Sequence, residues 1–206
     1  MIITIDGYSA TGKSTLAKIL AKKLNYFHIN TGIFYRYISY VLLNNNINKI
    51  ENAQNQSKSI KDVLNKTNFD INRIKTINLK TNEIELLGSQ IAKIDFIRKL
   101  INEIIFKIAK ESSIVIEGRD TGTVLFPNAD VKFFFIADAK IRAERLAKER
   151  NIDNIPLLID KIKKRDFEDI NREIAPLIKP NNAILIDTSH ITVNETLKEL
   201  EKYVYK

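Results

Sequence analysis

Apolar positions fall into two rhythms along the chain. Short continuous runs read as buried strands: Ile2, Ile3 and Ile5, then Tyr26 to Ile29, Ser113 to Ile116, Val131 to Ile136 and Ala183 to Ile186. Elsewhere the apolar residues step by three or four, as in Leu16, Ile19, Leu20 and Leu24. The same helical step recurs from Ile33 to Leu43, Ala139 to Arg150, Leu157 to Ile174 and Val193 to about Tyr203, where Thr192 is a suitable cap. Five apolar strands, each followed by helical pattern, predict an α/β fold: a five-stranded parallel sheet with helices on both faces, a three-layer arrangement. In such sheets ligands bind off the carboxyl ends of the strands.

The middle of the chain follows this rhythm less well. Residues 44–57 are rich in Asn and Gln without a period and read as loop, with a short helix over 58–64. Lys75 to Leu79 and Glu83 to Leu87 alternate around Lys80-Thr81-Asn82, which predicts a hairpin with Gly88 at its end. Ser89 to Lys110 predicts one long amphipathic helix, carrying Ile91, Ile94, Ile97, Ile101, Ile104 and Ile108 on its stripe and Arg98 beside it.

The first strand runs into Gly7-Tyr8-Ser9-Ala10-Thr11-Gly12-Lys13-Ser14, the G-x-x-x-x-G-K-S phosphate-loop pattern, and a helix starts at once. Strand, loop and helix together are the context this motif requires. Backbone N–H groups of the loop form an anion nest at a helix N-terminus, where the helix dipole favours negative charge. Lys13 is placed to reach the β- and γ-phosphates of a nucleoside triphosphate, and the Ser14 hydroxyl to ligate Mg²⁺. Two further polar clusters lie at strand ends: Asn30-Thr31-Gly32 after the second and Glu117-Gly118-Arg119-Asp120 after the third. His28, alone on its strand, is more economically a structural residue.

Composition narrows the chemistry. At 206 residues the chain has the length of one domain with room for insertions. It has no cysteine, which excludes disulfides, thiolate nucleophiles and thiolate metal sites. No run approaches the ~18 apolar residues of a membrane span, and the N-terminus carries no signal-peptide pattern. A cytoplasmic location without membrane contact is therefore expected. The net charge of +8 suits acidic partners. Of the basic residues 24 are lysines spread through helices, whereas the nine arginines cluster. Arginine suits bidentate recognition of phosphate or carboxylate, for which lysine is a poor substitute. No nucleic-acid recognition motif or aromatic platform is visible, so small phosphate esters are the expected partners.

The arginine clusters are Arg36, Arg119 beside Asp120, Arg142 one turn from Arg145, and Arg165, Asp169 and Arg172 at i, i+4 and i+7 on one helix face. An exposed salt-bridge ladder would have the same spacing and contribute little. Beside a phosphate loop, however, such residues fit an enzyme that moves phosphate between two phosphorylated substrates, where cations must neutralise developing charge.

Ile5-Asp6-Gly7 with Gly12-Lys13-Ser14, Asn30-Thr31-Gly32 with Tyr35-Arg36, Glu117-Gly118-Arg119-Asp120-Thr121-Gly122-Thr123-Val124 with Phe126-Pro127, Arg165-Asp166 with Asp169 and Arg172, Ala175-Pro176-Leu177, and Ile186-Asp187-Thr188-Ser189 form an ordered set. In that order they resemble the bacterial-type cytidylate kinases, nearly end to end. The resemblance implies a P-loop NTPase fold in a single domain over 1–206. Its core would be about 1–36, 106–141 and 174–206, with a nucleoside monophosphate (NMP)-binding insertion at about 37–105 and a lid at about 142–173. It implies transfer of the γ-phosphate of ATP to CMP or dCMP with Mg²⁺, by a monomer that binds no nucleic acid. It assigns Gly7, Tyr8, Ser9, Ala10, Thr11, Gly12, Lys13, Ser14, Thr15 and Arg145 to ATP. It assigns Thr31, Arg36, Arg98, Arg119, Asp120, Arg165, Asp169 and Arg172 to CMP, the pair Asp169 and Arg172 reading cytosine and sugar. Lys13, Arg119, Asp120, Arg165 and Arg172 would be the catalytic residues, and Ser14 would hold the metal with water-mediated help from Glu117.

The chain departs from the family pattern in places. Asn30 and Glu117 stand where the family usually has Asp, and Leu146 where a second lid arginine is common. An extra segment with a Glu-Ile-Arg motif, common in the family, is missing between Gly88 and Ser89. Another small-molecule kinase on the same scaffold, such as an adenylate or shikimate kinase, would lack the G-R-D and R-D-x-x-D-x-x-R blocks. A GTPase-like switch would carry an Asn-Lys-x-Asp guanine reader, which is absent.

Overall fold

A computed structural model describes residues 1–50 and 53–205. In chain order its elements are β1 (Ile2–Gly7), α1 (Lys13–Leu24), β2 (Phe27–Asn30), α2 (Thr31–Asn44), α3 (Ala53–Asn65), α4 (Ile71–Ile74), α5 (Asn82–Ile91) and α6 (Asp95–Glu111). There follow β3 (Ile114–Glu117), a π-helical turn at Thr121–Leu125, β4 (Val131–Ile136), α7 (Ala139–Arg150), α8 (Ile155–Asn171), β5 (Ile184–Asp187) and α9 (Val193–Val204). They form two compact units: Met1–Asn30 with Lys107–Lys206, and Thr31–Phe106.

The first unit is built on a five-stranded sheet in the order β2-β3-β1-β4-β5, with every pair parallel. The expected α/β architecture is therefore present. The five strands lie where the apolar runs predict them, because strands covered on both faces must be apolar throughout. Ile3, Ile5, Val115, Phe133, Phe135 and Ile186 pack with Leu16, Ala17 and Leu20 of α1 and Leu197 and Leu200 of α9. At the N-terminus of α9, Thr192 and Glu195 form a reciprocal capping box, the Thr192 hydroxyl accepting from the Glu195 N–H at 3.2 Å. Register brings the functional strand ends together. Ile5 lies opposite both Glu117 and Phe133, and Asn30 lies opposite Glu117. Among the described residues no helix is long and apolar enough to cross a membrane.

The second unit holds a separate apolar cluster of Tyr37, Ile74, Leu79 and Ile84. The Tyr37 ring meets Phe69 edge-on at 5.8 Å, and its hydroxyl donates to the Asn68 carbonyl at 3.0 Å.

Here the structure corrects three sequence expectations. The hairpin over 75–87 does not form. Asn82–Ile91 is helix α5, whose N-terminus is capped by Thr81, the side chain accepting from the Ile84 N–H at 3.3 Å. The alternation of Ile84 with Leu86 suggested a strand, yet Ile84, Leu87 and Ile91 are buried while Leu86 is 65% exposed. Spacing of three and four therefore decides the element, and tertiary burial selects it over local alternation. Gly88 lies inside this helix, where an added Cβ would meet Ser39 Oγ at 3.5 Å. The single helix expected over 89–110 is divided, because the chain turns at Ala92–Ile94 between α5 and α6. Of the loop expected over 44–57, residues 53–57 belong to α3, and residues 51–52 lie outside the described residues.

Candidate active site

The phosphate loop is shaped by backbone constraints as much as by its motif. Gly7 has φ +140°, and a Cβ there would overlap the Phe135 carbonyl oxygen of β4. The first glycine is thus required by the neighbouring strand, whatever the loop binds. Ala10 adopts a left-handed φ of +56° and Gly12 one of +88°, so the turn includes a conformation that a non-glycine residue adopts only at a cost. The Thr11 hydroxyl donates to the Tyr8 carbonyl at 3.0 Å, closing the turn.

Lys13 is buried and its ammonium donates to the same Tyr8 carbonyl. Burial, with the positive charge of Arg119 added to it, holds the Lys13 amine well below its ordinary value. An arriving polyphosphate would supply the counter-charge this ammonium needs.

Behind the loop, the Ser14 hydroxyl donates to Glu117 Oε2 at 2.9 Å. The Asn30 amide donates to Glu117 Oε1 at 2.7 Å, and its nitrogen lies 3.3 Å from Ser14 Oγ. His28 Nε2 is 3.6 Å from the same carboxylate and is buried without a hydrogen-bond partner among the described residues. A hydroxyl and a carboxylate oriented by an amide form a hard-oxygen donor set of the kind Mg²⁺ accepts. Glu117 and Asn30 therefore meet: Glu117 accepts from Ser14, and Asn30 donates to it where a second carboxylate would repel it.

At the end of β3 the acidic and basic residues pair. Arg119 Nε donates to Asp169 Oδ2 at 2.8 Å, and Arg172 Nη2 to Asp120 Oδ1 at 3.1 Å. Arg172 Nη1 also lies 3.8 Å from Asp169 Oδ1. Burial alone would raise the Asp169 carboxyl, but Arg119, with Arg165 and Arg172, outweighs it and holds the group below its ordinary range. Arg172 is not on the helix face predicted for it. The helix ends at Asn171, and Arg172 is its extended cap with ψ 141°. The chain reverses there, the Leu177 N–H donating to the Asp169 carbonyl at 2.8 Å, and Arg172 Nε donates to Ala175 O at 2.6 Å.

Asp6 holds this corner from below. It is fully buried and accepts from Thr121 N at 2.9 Å, Thr121 Oγ1 at 2.8 Å and Gly122 N at 2.7 Å. Burial raises its carboxyl, against the pull of these hydrogen bonds. The bonds fix the start of the π-helical turn that follows Asp120, and such turns are frequent at functional sites.

Arg145 donates to the hydroxyl of Thr188 at 3.1 Å and to its carbonyl. The Thr188 hydroxyl in turn donates to the Thr11 carbonyl at 3.0 Å, so Arg145 is tied to the phosphate loop. Lys13, Ser14, Glu117, Arg119, Asp120, Asp169 and Arg172 thus come together in the first unit. Thr31, Arg36 and Arg98 belong to the second. Thr31 begins α2 and is buried, and Arg36 lies in the same helix. Arg98 is 4% exposed, donates to the Ala92 carbonyl at 3.2 Å and lies 5.9 Å from the Tyr35 ring centre.

The sequence pattern of the cytidylate kinase family matches residues 3–206. The chain belongs to that family. The cytidylate kinase of Thermosipho melanesiensis is 38% identical over 207 residues, covering 98% of this chain and 95% of that protein. The cytidylate kinase of Clostridioides difficile is 39% identical over 212 residues, covering 97% and 96%. Among solved structures, a shikimate kinase from Bacteroides thetaiotaomicron superposes with a TM-score of 0.54 at 14% identity, over 100% of this chain and 99% of that one. At that identity the likeness concerns the fold. Membership in the family makes this chain a kinase-family enzyme and places small-molecule nucleotides among its substrates.

Two residues outside the expected site belong in this description. Arg142 and Asp166 are 5% and 7% exposed and form a buried ion pair against the phosphate loop. Arg142 stands out in the sequence as one of few arginines. Asp166 is visible in the sequence as part of the R-D-x-x-D-x-x-R block, but a helix of charged residues gives no indication that this carboxylate turns inward to Ser9.

Proposed function

We propose that the protein transfers the γ-phosphate of ATP to CMP or dCMP, giving ADP and CDP or dCDP. The observation that carries this reading is the placement, in one unit, of a phosphate loop with a buried Lys13 beside the paired Arg119–Asp169 and Arg172–Asp120. One part is suited to a polyphosphate donor, the other to a phosphorylated acceptor.

The loop Gly7–Thr15 and Arg145 hold ATP, while Arg119, Asp120, Arg165, Asp169 and Arg172 hold the acceptor. Thr31, Arg36 and Arg98 are assigned to CMP on family resemblance alone. In the same reading, residues of about 37–105 form the NMP-binding insertion and those of about 142–173 the lid. Ser14, with Glu117 through water, would hold Mg²⁺, which would supply positive charge to neutralise the donor phosphates. The acceptor is already a phosphate oxyanion, so transfer is direct and in line and needs no strong base or covalent intermediate. Lys13 and the arginines align the two phosphates and spread the charge that develops between them. Lid closure excludes the water that would otherwise hydrolyse ATP. Asp169 and Arg172, already partnered by Arg119 and Asp120, are preset to read a cytosine and its sugar. The reading places the enzyme in the cytoplasm, where free nucleotides are found, as a monomer.

ADP formation from ATP with CMP, dCMP, UMP, AMP and no acceptor, measured side by side, tests this. Selective rates with CMP and dCMP are expected. A flat profile, or ADP made only without acceptor, would overturn it.

A further inference from the structure

Helices α7 and α8 have a small apolar core of their own, formed by Ala143, Leu158 and Ile162. Next to it in the sequence stand Arg142, beside Ala143, and Asp166, one turn after Ile162. A buried ion pair removes both charges from water, and that cost is offset only where the geometry is good and further hydrogen bonds satisfy both groups. Here the geometry is specific. Asp166 Oδ1 accepts from the Ser9 N–H at 3.2 Å and from the Ser9 hydroxyl at 3.3 Å. Its other oxygen accepts from Arg142 Nη1. The same Nη1 donates to the Ser9 carbonyl at 3.2 Å, Arg142 Nε donates to the Ala137 carbonyl at 2.9 Å, and the guanidinium lies 5.4 Å from the Tyr8 ring centre. Both backbone polar groups of Ser9 are therefore held, one by each member of the pair. The next residue is Ala10, whose left-handed φ has to be maintained by its surroundings.

Asp166 is also one residue from Arg165 and three from Asp169. Helix α8 is thus attached near its C-terminal end at two places: to the phosphate loop through Asp166, and to the end of β3 through Asp169 and Arg119. We propose that Asp166 and Arg142 are a positioning pair that holds the phosphate loop at Ser9 and sets it in register with the acceptor-side residues of α8. The pair does not touch the moving phosphate. It acts through Ser9 on the donor side, and its role rests on the phosphotransfer reading above.

The test uses the full chain with Asp166→Asn, Arg142→Lys and the double variant. Asparagine keeps the shape of Asp166 but loses its charge, and lysine keeps the charge of Arg142 but loses the fork that holds Asp166, Ser9 and Ala137 together. In Asp166→Asn, kcat/KM for ATP is expected to fall about tenfold or more while KM for CMP stays within about twofold. Hydrogen exchange of the peptide Gly7–Thr15 is expected to speed up about fivefold, with β4 unchanged. The double variant is expected to lose no more than about twofold beyond Asp166→Asn, because the two residues act as one. Equal losses for ATP and CMP in step with a lower melting temperature would overturn the proposal, and so would unchanged exchange in the loop. If Asp166→Asn does not fold, Arg142→Lys is held to the same criteria. If the wild-type chain does not phosphorylate CMP, the functional reading fails, and loop exchange still decides whether the pair holds Ser9.

Discussion

Around the phosphate loop of the first unit, buried polar side chains are held by hydrogen bonds and ion pairs; in the second unit, apolar packing predominates. Asp6, Lys13, Glu117, Asp120, Arg142, Asp166 and Thr188 are all buried around the phosphate loop and the end of β3. Each is joined to a neighbour by a hydrogen bond or ion pair. The second unit buries Thr31, Ser39 and Arg98 among its described polar residues, and is held by Tyr37, Ile74, Leu79 and Ile84. Satisfied buried polar networks rigidify a site, whereas an apolar cluster specifies volume and leaves more freedom in detail. The contrast separates a preset chemical centre from a unit held chiefly by apolar burial.

The contrast can be broken most sharply at Lys13. Lys13→Ala should lower turnover on the order of a thousandfold with the fold intact, as for loss of a preorganised electrostatic group. Near-wild-type rates in the coupled assay would remove it from the mechanism. In the second unit the expected effect is on stability. Ile74 is 1% exposed within the cluster, so Ile74→Ala should cost about 3 kcal/mol in urea unfolding. A loss well under that would mean the cluster repacks. Arg172→Ala should reduce kcat/KM for cytidine nucleotides about a hundredfold by removing the guanidinium that pairs with Asp120. The same loss with every acceptor would assign Arg172 to transfer instead of recognition.

Smaller effects probe the support beneath the centre. A Cβ at Gly122 would meet Thr4 Oγ1 at 2.8 Å and Pro180 Cγ at 3.0 Å. Gly122→Ala should therefore cost about 1–3 kcal/mol, as overpacking does. The weakest handle is pH. The Asp169 carboxyl lies below its ordinary value of 3.8 in the folded chain. Its charged form therefore contributes stability that is present in full above about pH 4 and is lost as pH falls through the folded value. In urea titrations from pH 5 to 3, wild type should lose stability faster than Asp169→Asn. Parallel curves would show that Arg119 is not its counter-charge.

The five strands and the phosphate loop were legible because each is local. A strand covered on both faces needs an unbroken apolar run, and a phosphate loop needs glycines at fixed spacing before a helix. The second unit was less legible. Ile84 and Leu86 alternate as a strand would, and only burial of Leu87 and Ile91 shows that residues 82–91 are helical. Within the site, the residue types were visible and their partners were not.

By itself, then, the sequence determined the parallel α/β sheet, the phosphate loop and the ordered blocks that mark the family, since hydrophobic period and motif spacing act over a few residues. Tertiary structure alone decided that Asp6 grips Thr121 and Gly122, that Asn30 orients Glu117 toward Ser14, and that Asp166 turns inward to Ser9. Each of these contacts except the one from Asn30 to Ser14 joins residues more than 80 positions apart. A carboxylate's environment is set by what the fold brings to it, and that information is carried by no local pattern.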